Sequence, residues 1–118
     1  MDIRLLEPGV LYASLPPEPQ LRPELVLLRQ RIPENEETHV ILDLARVEII
    51  SSPSIGGLLL LQRQLSQHGR KLVLCGARLA TKCIFRVAGL DTLLELAADK
   101  AEALAVLHRS QMNLGLET

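Results

Sequence analysis

The sequence predicts an α/β domain: a mixed, mainly parallel β-sheet of four to five strands flanked by about four helices. Three observations carry this. Strand-like and helix-like segments alternate after an initial hairpin. Two internal runs, Val40-Ile41-Leu42 and Leu72-Val73-Leu74-Cys75, are apolar at consecutive positions, as in central strands covered on both faces. The 118 residues are 47% apolar but include only Tyr12 and Phe85 as aromatics, so the chain can bury one aliphatic core and is too short for two.

The elements follow in order. Ile3 to Leu6 is strand-like, Pro8-Gly9 signals a turn, and Val10 to Leu15 forms a second strand. Pro16-Pro17-Glu18-Pro19 must then be a loop, because proline fixes φ and removes the amide donor. Leu21, Leu25 and Leu28 recur at helical spacing, joined by Ile32, which predicts a helix over Leu21 to Arg31 that Pro33 stops. Glu34 to Thr38 reads as a surface loop and His39 to Leu44 as a strand.

Ser52-Pro53 signals a helix start. A serine side chain caps free amides of the first turn, and proline fits the first helical position. The helix is expected from Pro53 to His68, with Ile55, Leu58, Leu61 and Leu65 on its apolar side and Gly69 as its C-cap. Lys71 to Cys75 is a buried strand closed by Gly76, Ala80 to Ala88 a helix, and Leu93 to Leu96 a short strand or turn. Asp99 caps a last helix to Arg109, with Ala101, Leu104, Ala105 and Leu107 on its apolar side. Residues 1–109 thus form one domain, and 110–118 a flexible C-terminal tail.

Composition narrows the function. The net charge is −1 with both signs dispersed, and aromatics are scarce, so nothing favours nucleic acid. The longest apolar stretch, Ile55 to Leu61, is far shorter than a membrane helix, which predicts no direct membrane insertion. The N-terminus alternates charge and apolarity, unlike a signal peptide, and Cys75 and Cys83 match no zinc or redox motif. Thiols in an aliphatic core suit a cytoplasmic protein.

An enzyme is not expected. Asp43, Glu48, Asp91, Glu95 and Asp99 form no acid/base pair by spacing, and Asp43 reads as structural at a strand end. No phosphate-binding glycine loop occurs. His39, His68 and His108 are separated, read as surface residues, and suggest no metal or other cofactor.

One segment offers chemistry. Ser52, at a helix N-terminus, is either an N-cap or a phosphorylation site, where phosphate would face the positive helix end. In a partner interface its charge would oppose docking by repulsion and desolvation. Gly56-Gly57 inside the helix costs about 2 kcal/mol relative to alanine. That cost implies close approach, by the domain's own packing or by a partner.

The run from Val40 to Leu60, in which Leu42-Asp43-Leu44 leads through an apolar stretch to Ser51-Ser52-Pro53-Ser54 and then Ile55-Gly56, resembles the signature of the STAS domain family (sulfate transporter and anti-sigma factor antagonist). His68 to Gly76 is similar to the family's Gly-x-x-Leu-x-Leu-x-Gly strand, and Val87 to Leu96 to its Thr-Gly-Leu segment. The resemblance spans roughly Thr38 to Leu107. It implies that the chain docks on an anti-sigma factor, a serine kinase, as an anti-sigma factor antagonist in partner switching. It also implies that phosphorylation of the first serine of the family's Asp-Ser-Ser-Gly motif switches binding off. That serine falls on Ser52, while Ser51, Pro53 and Ser54 replace the aspartate, second serine and glycine. The implied binding loop is Ser51, Ser52, Pro53, Ser54 and Gly56, extended by Gln62, Arg63 and Gln67 on the helix. The three departures open a second reading, a scaffold or accessory subunit of a transporter or signalling complex that needs no phosphorylation. Homodimerisation stays open.

Overall fold

A computed structural model describes residues 3–32 and 38–117, the side chains of 110–117 excepted. The elements run β1 (Ile3–Glu7), β2 (Val10–Ser14), α1 (Leu21–Arg31), β3 (His39–Asp43), α2 (Ser52–Ser66), β4 (Leu72–Cys75), α3 (Leu79–Val87), a 3₁₀ helix (Leu90–Thr92), β5 (Glu95–Ala97) and α4 (Lys100–Glu117). The sheet has five strands in the order β1-β2-β3-β4-β5. Among the described residues only the β1–β2 hairpin is antiparallel; β2, β3, β4 and β5 run parallel. The expected mixed, mainly parallel sheet with four helices is thus present.

The consecutive apolars of the central strands are explained by their alternation. Val40, Leu42, Leu72 and Leu74 face one core, which includes Leu21, Leu25 and Leu28 of α1, Leu58, Leu61 and Leu65 of α2, and Phe85 of α3. Ile41, Val73 and Cys75 face the other core, closed by Ala103, Val106 and Leu107 of α4. Side chains on successive strand positions point to opposite faces, so a sheet with helices on both sides needs apolars at every position.

Several details differ from the sequence reading. Thr38, assigned to a surface loop, is buried, while Pro33 and Glu34 to Glu37 lie outside the described residues. On α4 the buried positions are Ala103, Val106 and Leu107; Ala101 and Ala105 are exposed. Alanine carries too little apolar surface to fix the angle of a helix. Asp99 caps α4 as expected, its Oδ1 accepting from the Glu102 amide at 2.8 Å. The helix does not end at Arg109: over 110–117 the backbone continues it, where a flexible tail was expected.

The registers of the parallel strands fix where function can sit. Ser14 pairs with Asp43, Asp43 with Cys75, and Cys75 with Ala97, so four strands end at one level. The ladder extends one step further through Leu15 N to Asp43 O and Leu44 N to Cys75 O, at 3.0 and 2.8 Å. The loops that follow β2 and β3 therefore emerge side by side at the carboxyl edge, where open α/β sheets present binding surfaces.

Candidate functional site

Two loops meet at that edge: 15–20, rich in proline, and 44–51, which leads into α2. Asp43 anchors the second. Its Oδ1 accepts from the Ala45 amide at 2.8 Å and its Oδ2 from the Tyr12 hydroxyl at 2.7 Å. Burial pushes the Tyr12 phenol up to about 12, and the hydrogen bond to Asp43 and its charge push the same way. Arg78 Nε donates to the Ala45 carbonyl at 3.0 Å, tying the start of α3 to this turn. Gly76 holds φ +68°, and a Cβ there would lie 2.7 Å from Asp43 Oδ1. The position needs glycine for its backbone and for space. Asp43 is thus a structural residue at the strand end, as its place in the sequence suggested.

The start of α2 corrects the sequence reading by one residue. Ser51 is the N-cap, with extended backbone, and its Oγ accepts from the Ser54 amide at 3.3 Å. Ser52 and Pro53 occupy the first two helical positions. Ser54 is fully buried, and its hydroxyl oxygen lies 3.0 Å from that of Ser51. Glu18 reaches across from the proline-rich loop, its Oε2 accepting from the Ser51 amide at 2.7 Å. Partial burial alone would raise the Glu18 pKa; the hydrogen bonds from the Ser51 amide and the Ser51 and Ser54 hydroxyls outweigh it and hold the carboxyl below its ordinary value. Glu18 was not singled out from the sequence. Its partner lies 33 positions away, and no local pattern links them.

These bonds leave Ser52 distinct among the three serines. Ser51 is spent on capping and Ser54 is inside; Ser52 is exposed. Two apolar side chains close to it in the chain are also exposed, Ile49 at 75% and Pro53. Ile49 lines a cleft of about 540 Å³ with Pro17, Glu18, Arg46 and Glu48. On the other side of Pro53, a groove of about 270 Å³ between α1 and α2 is lined by Arg22, Val26, Gly56 and Leu60.

The two helical glycines separate here. A Cβ on Gly57 would meet Leu25 Cδ1 at 3.2 Å, so that glycine lets α1 and α2 approach. A Cβ on Gly56 would meet nothing within 4 Å, so the domain's own packing does not require it. Arg63 and Gln67 are exposed, and Gln62 is half-buried.

Of the remaining reactive side chains, Cys75 lies level with Asp43 at the end of β4. Cys75 is buried, and burial, aided by the Asp43 and Asp99 charges, pushes its thiol up to about 12. His68 and His108 are exposed, whereas His39, expected at the surface, is half-buried with Nδ1 accepting from the Lys71 amide at 2.9 Å. Among the described residues no group of histidines, cysteines or carboxylates could hold a metal ion, and no helix is long and apolar enough to cross a membrane.

Comparison with known proteins places this geometry. A family model described as "Mlab, STAS domain" matches residues 23–95, more than half of the chain. No curated protein matches the sequence. Among solved structures, a Thermotoga maritima protein assigned as an anti-sigma factor antagonist superposes with a TM-score of 0.80 at 14% identity, over 91% of this chain and 93% of its own. The Bacillus anti-sigma factor antagonist SpoIIAA, solved in unphosphorylated and phosphorylated forms, gives 0.68 at 14% identity for the former, over 92% and 96%. A sulfate transporter family protein from Wolinella succinogenes gives 0.71 at 22% identity, over 98% and 93%. At these identities the superpositions establish the shared fold.

Proposed function

The chain belongs to the STAS domain family, and we propose that it is a non-catalytic protein-binding module of a partner-switching pathway, docking on an anti-sigma factor that is a serine kinase. The observation that carries this is the exposed Ser52 at the first position of α2, with the exposed apolar side chains of Ile49 and Pro53 close to it in the chain. An exposed isoleucine in a loop anchored by Asp43 suits an interface and has no role in the fold. Gly56 supports the same reading: a helical glycine that its own domain does not need is suited to a partner's close approach. In this proposal phosphorylation of Ser52 places a charge of roughly −2 inside the interface and releases the partner. The domain acts in the cytoplasm, where such a kinase would meet it.

A second reading is favoured by Glu18. The amides near Ser52 are largely taken: the Ser51 amide donates to Glu18, the Ser54 amide to Ser51, and Pro53 has none. A phosphate on Ser52 would also sit near a carboxylate, so the helix start offers it little of the usual anion site. This suits a static subunit of a transporter or signalling complex, docked through the same face and never phosphorylated.

The two readings part under one experiment. Tagged wild type and Ser52→Asp are used to capture partners from native lysate, with bound proteins and the Ser52 phosphorylation state read by mass spectrometry. A serine kinase recovered by wild type alone, with phosphate on Ser52, is the switch. One stable partner that is not a kinase, recovered by wild type with Ser52 unmodified, is the scaffold.

A further inference from the structure

The most exposed large apolar side chain, Val87, lies on α3. This helix buries only Thr81 and Phe85. Its outward side is apolar: Leu79, Cys83 and Val87, spaced one helical turn apart, form a row pointing to solvent, with Leu79 76% and Val87 90% exposed. Ile84 extends that row on one flank and is 39% exposed. Lys82 and Arg86, both exposed, form the other flank. Arg78 is not part of this basic row, because it is engaged by the Ala45 carbonyl and by Glu48. Neither Lys82 nor Arg86 is paired with a carboxylate among the described residues, and α3 contains no acidic residue.

A solvent-facing helix in a free domain normally turns its charges outward and its apolars inward. Here Leu79, Cys83 and Val87 occupy the outer pole, Thr81 and Phe85 the inner face, and charge is confined to one edge. Such a face is built to be covered.

We propose that α3 is a second docking surface, and that its occupant is an amphipathic helix of a partner protein carrying an acidic row along one edge. The Leu79–Val87 row is about 12 Å long, matching two to three turns of such a helix. Its apolar stripe would lie on Leu79, Cys83 and Val87, and its carboxylates would oppose Lys82 and Arg86. A second copy of this chain fits less well. In either two-fold pairing of α3 with itself the basic row meets no carboxylate, because α3 contains no acidic residue. An anionic lipid surface fits less well too, because the 3₁₀ helix packed against α3 presents the exposed Asp91.

The test uses the whole chain and a synthetic probe. The probe is a capped, alanine-based peptide helix with leucine at every fourth position and glutamate on the adjacent row; its control has lysine for glutamate. Amide chemical shifts of the protein are followed during titration. The expected result is perturbation confined to residues 79–87, with the glutamate peptide binding about tenfold tighter than the lysine peptide. Val87→Asp removes binding, and Lys82→Glu with Arg86→Glu inverts the preference; both change exposed positions only. No binding, equal binding of the two peptides, or shifts on α2 instead would overturn the proposal. So would binding of α3 to phosphatidylglycerol–phosphatidylcholine vesicles, or concentration-dependent shifts of α3 without peptide. Ser52 takes no part in these readouts, so this proposal and the proposed function fail separately.

Discussion

Glu18 accepts a 2.7 Å hydrogen bond from the Ser51 amide, fastening the proline-rich loop after β2 to the first turn of α2. This contact sets where α2 begins. With the Ser51 amide held by Glu18, the Ser51 side chain turns inward to cap the Ser54 amide and leaves Ser52 outside.

Loss of this contact should be visible in stability. Glu18→Gln should cost about 1 kcal/mol at neutral pH, since a hydrogen bond to a charged acceptor is replaced by a neutral one. The folded-state pKa of Glu18 is lowered, so its contribution is present above the ordinary carboxylate value and fades as pH falls through the lower folded value. Urea unfolding of wild type and variant should therefore differ at pH ~7 and converge in strong acid.

Tyr12 should titrate late. Absorbance of its phenolate should appear near pH 12, and Asp43→Asn should bring the transition down, because the carboxylate is one of its causes. The folded value is raised above the ordinary value of 10.0, so the stabilisation is intact below it and is lost as pH rises towards about 12. Tyr12→Phe should destabilise by about 1 kcal/mol.

The two glycines of α2 should respond differently to the same change. Gly56→Ala should stabilise by up to about 1 kcal/mol, because helix propensity improves and the added methyl meets nothing within 4 Å. Gly57→Ala should gain less or lose stability, because its methyl would press on Leu25 at 3.2 Å. Thermal unfolding of the two variants separates them.

The two thiols should differ in reactivity. Cys83, exposed on α3, should react with a disulfide reagent in the native state; Cys75, buried and with its thiol pushed up to about 12, should react only on unfolding. Counting modified thiols before and after denaturant checks this.

The fold was legible where spacing carries the physics. Leu21, Leu25 and Leu28 marked α1, and the uninterrupted apolars of β3 and β4 marked strands covered on both faces. The start of α2 was legible only to within a residue. Ser51 and Ser52 cap equally well in isolation, and Pro53 suits either of the first two helical positions. Glu18, remote in sequence, decides between them. The same remoteness hid Glu18 itself. The apolar side of α4 was misjudged at Ala101 and Ala105, where alanine marks no face, and the separate roles of Gly56 and Gly57 depend on where Leu25 of the neighbouring helix stands.

In the proposed function Ser52 lies inside a protein interface, and the direct measurement is the affinity of the captured partner for wild type, Ser52→Ala and Ser52→Asp by titration calorimetry. Ser52→Ala should bind as wild type does, because the Ser52 hydroxyl makes no hydrogen bond in the cap, which Ser51 forms. Ser52→Asp should bind at least roughly 30-fold more weakly, the cost of about 2 kcal/mol for an unpaired charge enclosed in an interface. Equal affinities for all three would contradict the account and place the partner's surface elsewhere on the domain.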